Sequence, residues 1–230
     1  MKYCIKAAAF ANGFSLILIC LYLSVALPGF SPAYYMWAYD RHNIPQAVDM
    51  ELNELMAVTN HMIGYMKGKE PDLAIDAVVA GGIRPFFNQR EIDHMIDVKN
   101  LFQASRVIVT ASAATFALTG GFLLLKRRSS LKPTKTLAYV YKWLPLCFTA
   151  LLGAAAGLAV LDFNRAFTAF HLIFFSNDLW ILDPRTDLLI NIVPEPFFMD
   201  ISVVIAVIFL LCMVLMTIYG ALVLRKTREP

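Results

Sequence analysis

The chain has 230 residues, 59% of them hydrophobic and 16% charged, with a mean hydropathy of +0.62. Soluble domains carry roughly 45–50% apolar residues, so an ordinary soluble globule is excluded. The net charge of +3 is small, and its basic residues crowd the ends of apolar runs. That pattern points to membrane orientation rather than to a nucleic-acid partner.

Residues 7–27, 107–125, 143–161 and 197–224 are apolar runs, each meeting the roughly 20 residues an α-helix needs to cross a bilayer. The predicted fold is an all-α integral membrane protein with four transmembrane helices, a single membrane domain over residues 1–230. Lys2 and Lys6 before the first run imitate a signal peptide. The apolar core is long, however, and Ala26, Leu27, Pro28, Gly29 and Phe30 offer no clean pair of small residues for cleavage. Ile19 is too bulky for lipidation at Cys20, so a retained first helix is expected. Asp200, near the start of the fourth run, should stand outside the hydrocarbon.

Lysine and arginine bias sets the expected orientation. Lys126, Arg127, Arg128, Lys132, Lys135 and Lys142 crowd the connection between the second and third runs. Arg225, Lys226 and Arg228 follow the fourth run, and Lys2 and Lys6 precede the first. Both termini are therefore expected in the cytoplasm, with residues 28–106 and 162–196 outside. Cys4, Cys20, Cys147 and Cys212 all fall in the runs or on the inner side, which excludes a cysteine nucleophile and disulfides from the outer segments.

The outer segment 28–106 is too long for a plain connector and should fold, with 162–196, as a cap of short amphipathic helices and loops. Tyr34, Tyr35 and Trp37 suit a membrane interface. Leu52, Leu55, Met56, Ile63 and Met66 predict a helix over residues 49–66. His61 on it and His42 before it read as structural or solvated. Gly64, Gly68 and Pro71 punctuate its end, and the stretch from Val79 to Ile83 reads as flexible. Asn88, three residues before Glu91, resembles a capping box. A helix should start there, with Ile92, Met95, Ile96 and Phe102 on its apolar side and Asp93, His94 and Asp97 on its polar side. Run straight into the second span, it would lift His94 roughly 20 Å above Val107 at about 1.5 Å per residue. A bend near residues 104–106, laying the helix along the interface, is therefore expected. Further on, Phe163, Phe167, Phe170 and Phe174 recur at helical spacing beside Asn164, Thr168, His171 and Asp178. Such a stripe is more often packing than a substrate groove.

The chemistry available is narrow. A lone loop histidine would be read as solvated, but His94 and His171 both sit among aromatics and carboxylates on the same predicted face. Such a pair can share acid and base roles. No glycine-rich phosphate loop or Gly-x-Ser-x-Gly elbow occurs, and Ser176 has no activating context. His94, His171, Asp93, Asp97 and Asp178 could supply metal ligands, but no His-x-x-x-His or Glu-x-x-His spacing supports it. Metal-free acid–base chemistry on a lipid-linked substrate is favoured. The alternatives are a lipid-directed hydrolase or transferase using Ser176 or a metal, and a non-enzymatic membrane scaffold.

The stretch from Glu91 to Val98, with Phe170 to Phe175, Asn177, Trp180, Asp183 and Asp187, resembles the lipoprotein intramolecular transacylase family. The likeness extends to the four-helix layout and the outer cap. It implies an enzyme of the bacterial plasma membrane that moves the sn-2 acyl chain of a lipoprotein's S-diacylglyceryl cysteine onto the α-amino group of the same cysteine. It further implies catalysis by His94 and His171, supported by Glu91, Asp93, Asp97, Asn177 and Asp178. Phe86, Phe87, Phe170, Phe174 and Trp180 would hold the acyl chain and exclude water. The expected partners are a diacylated lipoprotein and membrane lipid, with no cofactor, metal, nucleotide or nucleic acid, because turning an ester into an amide runs downhill.

Overall fold

The computed structural model describes residues 1–128, 130 and 132–227; Arg228, counted above among the basic residues, lies outside them. The elements in chain order are α1 (Lys2–Gly29), α2 (Pro32–Arg41), α3 (Ile44–Ala47), α4 (Leu52–Met66), β1 (Asp76–Val79), β2 (Gly82–Pro85), α5 (Gln89–Leu125), α6 (Pro133–Leu161), α7 (Phe163–Phe174), α8 (Leu189–Ile192) and α9 (Glu195–Lys226). Among the described residues, α1, α5, α6 and α9 are long and apolar enough to cross a membrane. The chain is a helical membrane protein, as its hydropathy foretells.

It divides into two compact units, Met1–Val25, Ser105–Asp162 and Ile205–Pro230 in one, Ala26–Ala104 and Phe163–Val204 in the other. The first holds most of the apolar helix length. There Ile17, Tyr141, Phe209, Met213 and Met216 form a buried cluster. Buried Asn12 donates to the Phe116 carbonyl at 2.9 Å and to Thr119 Oγ1 at 3.0 Å, and accepts from the Tyr141 hydroxyl at 2.6 Å. One amide thus links α1, α5 and α6 in surroundings where an unpaired polar group is costly. At Gly220 of α9 the α6 backbone comes so near that a methyl group would lie 2.6 Å from the Lys142 nitrogen and 2.7 Å from the Ala138 carbonyl oxygen. Only glycine fits that crossing without moving the α6 backbone.

The second unit comprises most of the two segments expected to form the cap, and takes that name. Ser31 caps α2 by accepting from the Tyr34 N–H, with Pro32 at the first helical position. Tyr35, Tyr39, Leu55, Val58, Met62, Leu73, Phe86 and Phe197 lie at the heart of its core. Within it the hydroxyls of Tyr39 and Thr59 are 2.7 Å apart. The stretch read as flexible is instead the turn of a two-stranded antiparallel hairpin, with Val79 opposite Gly82. Ala80 and Gly81 both take positive φ, the geometry of a tight hairpin turn. Alternating polar and apolar residues over so few positions give too weak a signal to reveal it.

The stretch where a bend is expected, residues 104–106, is α-helical, and α5 runs without interruption from Gln89 to Leu125. Its 37 residues far exceed the roughly 20 needed to cross a bilayer. Arg90, Glu91, Asp93, Asp97 and Lys99 belong to the part of the helix that lies in the second unit.

Candidate active site

The first turn of α5 closes on a reciprocal cap. The Asn88 N–H donates to Glu91 Oε2 at 2.6 Å and the Glu91 N–H donates to Asn88 Oδ1 at 3.1 Å, the capping box read from the sequence. The other Glu91 oxygen accepts from the Leu189 N–H, and Asn88 Nδ2 donates to Asp187 Oδ1 at 2.8 Å. A buried carboxylate thus fixes the start of α5 to the start of α8. Burial pushes the Glu91 carboxyl up, while the backbone N–H groups pull against it.

One turn along α5, His94 meets His171 of α7. Their ring centroids are 6.1 Å apart and the planes are inclined by 35°, with both residues 7% exposed. Phe175 stands edge-on to His94 at 5.4 Å and lies 5.6 Å from His171. Trp180 stacks on His171 at 4.7 Å and 26°, and Phe167 approaches the same imidazole at 4.2 Å.

The hydrogen bonds of the two rings differ. His171 Nδ1 is 2.7 Å from the Phe167 carbonyl oxygen. A carbonyl only accepts, so Nδ1 carries the hydrogen and Nε2 presents its lone pair. His94 Nδ1 is buried without a partner among the described residues. Burial, reinforced by His171 and the Arg90 cation and opposed by Asp97, drives His94 down to about 4. Burial also lowers His171, against the pull of the Phe167 carbonyl. Both rings are therefore neutral near pH 7, one able to accept a proton while the other donates one.

The remaining predicted residues divide by position. Asn177 Nδ2 donates to Asp97 Oδ2 at 2.8 Å, and the Trp180 indole N–H donates to the Asn177 carbonyl at 3.0 Å. Phe170 is edge-on to His171 at 5.4 Å and packs on Phe174 at 4.8 Å. Asp93 only accepts from Gln89, at 2.8 Å, and the Asp178 carboxylate is 77% exposed, 3.6 Å from Arg90. Phe86 and Phe87 pack on each other at 4.8 Å and are buried in a hydrophobic cluster that also holds Met95.

Ser176 is exposed and makes no hydrogen bond to either imidazole. His42 Nε2 pairs with Asp200 at 2.9 Å, a structural contact, and His61 is not among the rings around the pair. Among the described residues no three His, Cys, Asp or Glu side chains converge as metal ligands would. A cavity of about 570 Å³ in the cap, lined by Asp40, Asp49, Glu51 and Glu54, contains neither site histidine.

Sequence reasoning gave no role to Arg90, quoted Phe175 only as the end of a motif, and took Phe167 for packing. Phe167 and Phe175 lie four residues on either side of His171, the neighbouring positions on a helical face, so that spacing was the available signal.

The fold and site together define a class: a helical membrane protein that buries two facing, neutral imidazoles among aromatic rings, suited to proton transfer away from bulk water. The model of the family described as lipoprotein intramolecular transacylase Lit matches residues 10–198. The chain belongs to this family of enzymes. A comparison with curated proteins by sequence finds no match. Among solved structures, the in meso structure of the membrane-integral lipoprotein intramolecular transacylase Lit from Bacillus cereus aligns with a TM-score of 0.77 at 22% identity, covering 99% of this chain and 99% of that one. A histidine-to-arginine variant of the same Bacillus cereus protein aligns at 0.73 and 21% identity, covering 98% of this chain and 94% of that one. At such identities the likeness establishes a common fold.

Proposed function

We propose that this chain carries out intramolecular acyl transfer on a lipoprotein, moving the sn-2 acyl chain of the S-diacylglyceryl cysteine onto that cysteine's own α-amine. The observation that carries this reading is the facing pair His94 and His171, with the His171 tautomer set by the Phe167 carbonyl. The amine nitrogen attacks the ester carbonyl, forming the N–C bond. His171 Nε2 takes the proton the amine loses. The C–O bond to glycerol then breaks, and the His171 imidazolium returns its Nε2 proton to the glyceryl oxygen, which restores the neutral ring. Donor and acceptor share one molecule, so the site mainly folds the substrate into an attack geometry. His94 donates an N–H hydrogen bond to the tetrahedral oxyanion and keeps its proton.

Phe167, Phe175 and Trp180 wall the two rings, which keeps water from competing for the ester. Phe170 and Phe174, about half exposed beside exposed Leu172 and Ile173, offer an apolar surface to the acyl chain and to membrane lipid. The lysine and arginine bias supports a plasma-membrane location with both termini in the cytoplasm and this site on the outer face.

The test mixes purified full-length protein with a diacylglyceryl lipopeptide and follows formation of the N-acyl, lyso-glyceryl isomer. Its mass is unchanged, so fragmentation must locate the acyl chain. His94→Ala and His171→Ala should abolish conversion in folded protein, His61→Ala should be far milder, and chelator should have no effect. Full activity in either site-histidine variant, or loss on chelation, overturns the mechanism.

A further inference from the structure

Arg90, His94 and Asp97 follow one another at helical spacing, so they share a stripe of α5 with the histidine between the two charges. Both charges reach the same loop. Asp97 accepts from Asn177, as described. Arg90 Nε donates to the Ile181 carbonyl at 3.2 Å, and Nη2 donates to the Asp178 carbonyl. The Ile181 N–H donates to that same Asp178 oxygen at 3.0 Å, so the guanidinium grips a tight turn at both ends, with Trp180 inside it. Because the Asp178 carboxylate is 77% exposed, solvent screens its ion pair with Arg90. The two carbonyl bonds do the holding, and they require a planar fork.

We infer that Arg90 is a positioning residue: its guanidinium fastens the Asp178–Ile181 turn to α5 and so holds the Trp180 indole stacked on His171. This rests on the paired-histidine reading above. Two imidazoles from separate elements must keep a fixed spacing, and no covalent bond sets it. Arg90 on one side of His94 and Asp97 on the other brace the loop against the helix that carries the first ring, and the loop in turn braces the second.

The experiment uses full-length protein in lipid nanodiscs carrying Trp37→Phe and Trp143→Phe, which leaves Trp180 as the last of three tryptophans. Its emission is titrated from about pH 8 to pH 4, a range that brackets histidine protonation. In this parent, an imidazolium forming against the indole quenches emission in a step, and His171→Gln removes the step. Arg90→Gln should shrink the step at least threefold and lower kcat about tenfold, the scale expected of a slightly misplaced group. Arg90→Lys keeps the charge but not the fork and should behave nearly as badly. It carries the test with the same two readouts should Arg90→Gln fail to fold.

An Arg90 variant that retains the quenching step overturns the inference, whatever its activity. So does one that loses the step at unchanged kcat. Failure of the paired-histidine reading would look different: His94→Ala and His171→Ala would remain active while Arg90 still governed the optical step.

Discussion

Glu91→Gln should destabilise the protein by about 3 kcal/mol. The carboxylate is 1% exposed, and its two oxygens answer two backbone donors, Asn88 N–H at 2.6 Å and Leu189 N–H. Glutamine keeps the shape but one acceptor only, so whichever way the amide turns, an NH₂ faces a backbone N–H. A hydrogen bond to a charged group contributes roughly 1.5–3 kcal/mol, and its loss leaves a buried donor unsatisfied. The surviving bond falls to the neutral scale, costing about 1 kcal/mol more. For a chain of this size that total corresponds to an apparent melting midpoint lower by roughly 6–12 °C. Asp93→Asn is the matched control. It sits in the same turn but bonds only to Gln89, and should change stability by less than about 0.5 kcal/mol. Thermal unfolding of the three proteins in one detergent decides the matter. A Glu91→Gln protein as stable as the parent, or an Asp93→Asn protein equally damaged, would refute the reasoning.

Gly220→Ala places a methyl group 2.6 Å from the α6 backbone and should cost about 1–3 kcal/mol or more. Gly121→Ala, with nothing within 4 Å, should be neutral or stabilising by up to about 1 kcal/mol; opposite signs in a melting comparison check this. Asn12→Leu orphans the Tyr141 hydroxyl, while Thr119 keeps its bond to the Thr115 carbonyl, at a cost of about 1–2 kcal/mol at the scale measured for hydrogen bonds in membranes, read as detergent resistance. Because His94 is harder to protonate folded than unfolded, the stability linked to it is whole above 6.5 and is lost as pH falls toward about 4. The parent's melting midpoint should therefore drop over that interval, and His94→Gln should flatten the drop. His171 also titrates below its ordinary value, so its imidazole signal in an NMR titration should move at a pH under 6.5. Transfer should accordingly slow between about pH 8 and 7 through the substrate amine, before either ring is charged.

What the sequence discloses follows the range of each interaction. Spans are legible because hydropathy is a sum over neighbours, and the Asn88–Glu91 cap because both partners lie within one turn. His94 and His171 stand out as polar groups in aromatic company. Arg90 does not, because its partners are backbone carbonyls 88 and 91 residues away, and a carbonyl has no letter in the sequence. The burial of Phe86 and Phe87 is likewise hidden, because the neighbours that cover them are set by the fold and not by the adjacent motif. The expected bend in α5 rests on holding a site close to the bilayer, a demand on overall geometry that leaves no mark in local helix periodicity.

The bond from His171 Nδ1 to the Phe167 carbonyl has a further consequence. A histidine steered by a carboxylate depends on a second side chain, and one substitution elsewhere can turn its ring the wrong way. Here the partner is main chain, four residues back on the same helix, present whatever side chain occupies position 167. The ring's proton address is therefore inherited with the helix itself. Mutation can remove the imidazole, but it has few ways to leave the imidazole in place with its proton on the wrong nitrogen.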